Sequence, residues 1–126
     1  MADYLIEYRD IAKRIMKEAR QKTVVCWEFV HAVRQHHGLS SPLQDWEIKD
    51  GSNMQAAAEY CSDWKITEPI EWCISLYRCS KFDWHSGLVL PGCKQFIHLM
   101  RGTGLQVARL DDRYWSKVWQ NYYDKR

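Results

Sequence analysis

DWHSGLVLPGCKQFIHLM, residues 83 to 100, places two short apolar segments on either side of Pro91-Gly92. Apolar runs of strand length joined by a turn-forming pair predict an antiparallel β-hairpin. Successive strand side chains point to opposite faces, so His85, Gly87 and Val89 share one face of the first strand, and Lys94, Phe96 and His98 share one face of the second. A register that aligns those faces makes the two histidines neighbours, which a hairpin does not need for its own sake.

Strand-like segments flank this hairpin. IEWCISLYRC at 70–79 and GLQVARL at 104–110 have the β-branched and aromatic content of strands, and RYWSKVWQNYY at 113–123 reads as a helical turn followed by a last strand. The first part of the chain has a different period. YLIEYRDIAKRIMKEAR at 4–20 repeats Leu5, Tyr8, Ile11, Ile15 and Met16 at near-helical spacing, which predicts one amphipathic helix. A second helix, VVCWEFVHAVRQHH at 24–37, is expected to be capped by Thr23 and ended by Gly38, with Cys26 in its first turn. Between helices and strands, residues 38–53 read as a loop with a short extended piece around Trp46, and Met54 to Trp64 reads as helical with Asn53 as its cap. Helices first and strands afterwards predict an α+β fold, with N-terminal helices packed on an antiparallel sheet.

The 126 residues fit one domain, taken as 1–126 with an N-terminal helix over 1–21 and a core over 22–126. A formal net charge of +2, with Lys and Arg dispersed among Asp and Glu, lacks the concentrated basic patch of a nucleic-acid binder. No apolar run reaches membrane-spanning length and no apolar leader opens the chain, which predicts synthesis in the cytoplasm. Five cysteines without a C-x-x-C pair argue against a full disulfide framework and a zinc site, so no metal or other cofactor is expected.

A cysteine is nucleophilic as thiolate, and a helix N-terminus or a nearby imidazolium favours that form. Cys26 has the first by position, and the hairpin offers the second. His85 would take the thiol proton while His98 holds the His85 ring in the productive tautomer, completing a Cys-His-His triad. Trp27 and Trp84 adjoin these residues and are candidates for lining a substrate groove. The remaining groups have plainer readings: Cys61, Cys73, Cys79 and Cys93 as structural thiols, His31 as a packing or surface residue, His36 and His37 as cations suited to a helix C-terminus, and Glu28 and Asp83 as exposed carboxylates. A metal site made of Cys26, His85 and His98 lacks a fourth ligand in the sequence.

In order along the chain, TVVCWEFVHAV, PIEWCISLYRC, HSGLVL and KQFIHL resemble the NlpC-type cysteine peptidases of the papain-like class, over most of residues 23 to 123. Trp27 after the cysteine and Tyr114-Trp115 after the second histidine are similar to phage tail or prophage members. The resemblance implies a papain-like core, with Cys26 as nucleophile, His85 as general base and then acid, and His98 as the orienting residue. It also implies cleavage of amide bonds in peptidoglycan stem peptides, typically the γ-D-glutamyl to diamino-acid bond, with phage tail proteins as partners and action at the cell wall or on a virion. Four positions depart from the family pattern: Val25 stands for Asp, Glu28 for Gly, and Glu71-Trp72 for Gly-Asp. They motivate an alternative, a catalytically silent structural or interaction protein of the same fold. A thiol acyltransferase or deamidase is a further alternative.

Overall fold

The computed structural model of the chain describes residues 3–21, 23–41, 64–81 and 83–125. The extended piece expected around Trp46, the helix expected from Met54, and Cys61 lie outside the described residues.

Asp3 starts the first helix, α1 (Tyr4–Glu7), its carboxylate accepting from the N–H groups of Leu5 and Ile6 at 3.1 and 3.2 Å. The single N-terminal helix expected from the pattern is broken at Tyr8, and α2 (Arg9–Glu18) continues beyond it. Tyr8 is buried, with its ring 5.7 Å from Trp72 and its hydroxyl 2.5 Å from Nε2 of His37. Tertiary anchoring of this ring prevails over the local helical period.

The next helix, α3 (Val25–His36), starts without the expected Thr23 cap. Val24 occupies the N-cap position, and the Thr23 hydroxyl instead accepts from the Arg20 N–H at 2.9 Å, which closes the preceding turn. At the other end Gly38 behaves as expected. Its φ of +70° lets the Leu39 N–H return to the Arg34 carbonyl at 2.9 Å and its own N–H to Gln35 at 3.0 Å, a Schellman ending.

Six strands follow among the described residues: β1 (Lys65–Thr67), β2 (Ile74–Arg78), β3 (Trp84–Val89), β4 (Gln95–Met100), β5 (Gly104–Arg109) and β6 (Trp119–Asp124), with a one-turn helix, α4 (Trp115–Val118), leading into the last. They form one sheet in the order β1-β6-β2-β3-β4-β5, every neighbouring pair antiparallel. The α+β class expected from the sequence is therefore observed. β2 begins four residues later than the apolar run suggested, because Trp72 turns the chain at φ +65° and stacks on His37 with centroids 4.1 Å apart. β1 was not expected: three residues with Ile66 62% exposed carry no readable alternation.

The central hairpin turns where Pro91-Gly92 said it would. Pro91 and Gly92, the latter at φ +94°, form a type II turn closed by the Cys93 N–H on the Leu90 carbonyl at 2.9 Å. Leu88 lies opposite Ile97 and Val89 opposite Phe96. On one face of the sheet, Ile74, Leu76, Leu88, Ile97 and Leu99 form the core with Phe29, Val30 and Val33 of α3. Strand alternation puts Tyr77, His85, Gly87, Phe96 and His98 on the other face, where Trp115 of α4 packs over them.

Arg34 ties these layers together. It is fully buried, ion-paired to Asp124 at 2.9 Å, and donates to the carbonyls of Ser40 at 2.6 Å and Trp72 at 2.7 Å. A buried guanidinium is tolerable only when its donors are met in this way.

Candidate functional site

Continuing the register of β3 and β4 by one residue puts Gly87 opposite His98, with His85 one diagonal step away on the same face. The missing side chain at Gly87 makes this arrangement possible. A methyl group there would fall 2.7 Å from Phe96 Cδ2, 2.9 Å from the Ile97 carbonyl oxygen and 3.3 Å from His98 Cβ. Across the gap, Nε2 of His85 meets Nδ1 of His98 at 2.8 Å, with ring centroids 4.9 Å apart and nearly perpendicular.

The pair is enclosed by aromatic rings. Trp115 stacks on His85 at 5.0 Å and meets His98 edge-on at 5.0 Å, while Phe96 stacks on His98 at 4.8 Å. The N–H groups of Tyr114 and Trp115 both donate to the Asp112 carboxylate at 3.0 Å, which fixes the start of the turn that carries Trp115. Burial in this setting pushes His85 down to about 3, helped by the neighbouring His98, and burial alone pushes His98 down to about 4. Both rings are neutral at pH 7. His98 Nε2 is buried and has no hydrogen-bond partner among the described residues.

Cys26 is the second residue of α3, so its sulfur lies beside the first-turn N–H groups that a helix cannot pair internally. It is 6% exposed. Burial pushes the thiol above its ordinary range, whereas the Ser86 hydroxyl and N–H, and the N–H groups of Trp27 and Cys26, pull it back down. Ser86 belongs to the helix-facing side of β3, one residue from His85. Among the described residues no hydrogen bond joins Cys26 to His85. The two meet instead as walls of one cavity of about 430 Å³, together with Thr23, Asp83, Trp84 and Arg101. The Arg101 guanidinium is committed to the carbonyls of Arg20 at 2.5 Å and Thr23 at 2.6 Å, which pins the loop before α3 against the end of β4.

The three expected chemical residues thus fall into a hydrogen-bonded pair, His85 and His98, on the Trp115 face of the sheet, and a thiol on the helix face beside Ser86 that shares only a cavity wall with His85. Trp84 lines that cavity, with Arg78 5.0 Å above its ring. Trp27 does not: it is 2% exposed and packs in the core. Glu28 borders a different, smaller cavity. His31 bonds to the buried Ser41 hydroxyl, His36 packs beside Tyr8, and His37 is taken up by Tyr8 and Trp72, so none of them reaches the thiol. Cys73 is buried and Cys79 and Cys93 are partly so, and among the described residues none of the three forms a disulfide.

Two contributors were not expected from the sequence. Trp115 reads in the sequence as half of a Tyr-Trp pair and as an ordinary core tryptophan, although an aromatic beside a polar hairpin face is a fair signal for a cover. Ser86 gave no signal beyond its place next to His85. Among the described residues, no group of three or more His, Cys, Asp or Glu side chains is arranged to hold a metal ion, and no helix is long and apolar enough to cross a membrane. Compared with known families and curated proteins, the chain matches no family model and no curated relative.

Proposed function

We propose that the protein is a cysteine hydrolase that cleaves amide bonds through Cys26, His85 and His98, on a papain-like core similar to that of the NlpC-type peptidases. The observation that carries this reading is the hydrogen bond between His85 Nε2 and His98 Nδ1 beside a cavity whose walls include both His85 and Cys26; with His85 as the donor of that bond, its Nδ1 is the nitrogen left to accept a thiol proton.

In this mechanism the Cys26 sulfur attacks the substrate carbonyl carbon as its proton passes to His85. The first-turn N–H groups of α3 stabilise the oxyanion. Collapse breaks the C–N bond, and His85 returns the proton to the leaving amine. Water, deprotonated by His85, then cleaves the thioester, releasing the acid and restoring the thiol. A hydrogen bond between Cys26 and His85 is not required in the resting state, since such bonds often tighten only in the substrate complex.

The resemblance of residues 23 to 123 supports peptidoglycan stem peptides as substrate and a phage or prophage setting, with tail proteins as partners. Incubation with a muropeptide containing the γ-D-glutamyl to diamino-acid bond, read by mass spectrometry, tests it. The reading predicts cleavage that Cys26→Ala abolishes. No cleavage, or cleavage unchanged by that substitution, overturns it.

The buried, proton-retaining thiol favours a second reading, an interaction protein of this fold that performs no hydrolysis. It predicts that Cys26→Ala leaves every activity of the protein intact.

A further inference from the structure

A second cavity, of about 440 Å³, opens between α2 and β5. Its floor and walls are apolar: Leu5, Ala12, Met16, Leu99 and Leu105. The space exists because small residues face it. Ala12 is the buried helix residue there, and Gly104 opens β5 at φ +79°, where an added Cβ would meet nothing within 4 Å. The volume lies in the range of about 300 to 1,000 Å³ usual for small-molecule sites.

The rim has one sign of charge. Arg9 and Lys13 stand one helical turn apart on α2, both exposed, and neither has a carboxylate partner among the described residues. Among the described residues no acidic side chain lines the cavity, although α2 carries Asp10 and Glu18 on other faces. An apolar slot under two unpaired cations suits a ligand with an aliphatic part and an anionic head.

The geometry points to a binding site for a single-chain anionic amphiphile, an aliphatic carboxylate, with its chain between α2 and β5 and its head on Arg9 and Lys13. The site is independent of the hydrolase reading, and shares with the Cys26 cavity only the buried Leu99.

Calorimetric titration of the whole protein with dodecanoate, below its micelle concentration, tests this against dodecyltrimethylammonium of equal chain length. The expected result is one dodecanoate per chain, bound at least roughly tenfold more tightly than the cation. Arg9→Glu with Lys13→Glu, both at exposed positions, should weaken dodecanoate by roughly tenfold with thermal unfolding unchanged. Ala12→Leu, which fills the floor, should abolish binding of either chain. Absence of dodecanoate binding overturns the proposal. Equal binding of both amphiphiles, or binding indifferent to the charge reversal, also overturns it by showing a non-specific apolar patch. Binding of an acidic peptide but not of dodecanoate would make the groove a protein contact and refute the ligand class.

Discussion

His85 and His98 share one hydrogen bond, Nε2 to Nδ1 at 2.8 Å, and that bond couples their tautomers. For His85 Nδ1 to accept a thiol proton, His85 must donate from Nε2, and His98 must carry its own proton at Nε2. The latter nitrogen is buried without a partner. The catalytic reading therefore predicts the Nε2–H form of His98, visible as a protonated Nε2 and a bare Nδ1 in nitrogen-15 spectra of the imidazole. A proton on Nδ1 of His98 would place the His85 proton on its own Nδ1 and remove the base.

The same pair makes stability sensitive to acid. Folded His85 and His98 titrate near 3 and 4, against about 6.5 when unfolded. As pH falls the unfolded chain gains these protons first. Their contribution is therefore complete above about pH 6.5 and lost progressively toward pH 3 to 4, with a slope of up to about 1.4 kcal/mol per pH unit for each ring. Urea unfolding at pH 7.5 and 4.5 measures the loss, and His98→Phe should reduce the slope. An unchanged midpoint would contradict neutral burial of the pair.

Trp115 is expected to maintain those depressed values, because desolvation is the first cause of both. Trp115→Ala should move both rings upward toward 6.5 in a proton NMR titration. Values that stay near 3 and 4 would show that the sheet alone suffices.

Gly87→Ala should cost about 1–3 kcal/mol, the usual range for overpacking, since two of the three close atoms are a ring carbon in a stacked pair and a backbone oxygen. It should also disturb the His85–His98 bond, seen as shifted imidazole resonances. A variant as stable as the parent, with unshifted signals, would refute the close approach of the strands.

Loss of Arg34 should be more damaging. Arg34→Ala breaks the buried ion pair to Asp124 and removes the donors to the Ser40 and Trp72 carbonyls, and breaking a buried pair costs about 3–5 kcal/mol. Arg34→Lys should not rescue it, because one ammonium cannot reproduce a fork that meets Ser40, Trp72 and Asp124 together. Denaturant midpoints of the two variants decide this.

The sequence was informative where one local pattern met one strong signal. Pro91-Gly92 between alternating apolar residues located the hairpin and the shared face of its histidines, and Gly38 located the end of α3. It was silent where a distant contact decides the outcome. Nothing near Tyr8 shows that His37 and Trp72 will hold its ring and interrupt the helix. Nothing in the helix pattern tells that Trp27 faces the core while Cys26 reaches a cavity. Position at a helix start suggested an acidified thiol at Cys26, but burial, which is a property of the packed molecule, works in the opposite direction.

The central claim is that Cys26 can pass its proton to His85. Thiol with neutral imidazole and thiolate with imidazolium hold the same number of protons, so the fraction of the reactive form is independent of pH between the two titrations. An isolated thiol loses reactivity about tenfold per pH unit below its pKa. The direct measurement is the alkylation rate at each cysteine between pH 5 and 8, resolved by mass spectrometry, in the native protein and in His85→Ala. The account predicts a flat profile for Cys26, a tenfold fall per unit for Cys79, whose thiol burial pushes up, and the same fall for Cys26 once His85 is removed. A Cys26 profile that falls like that of Cys79 in the native protein would contradict it.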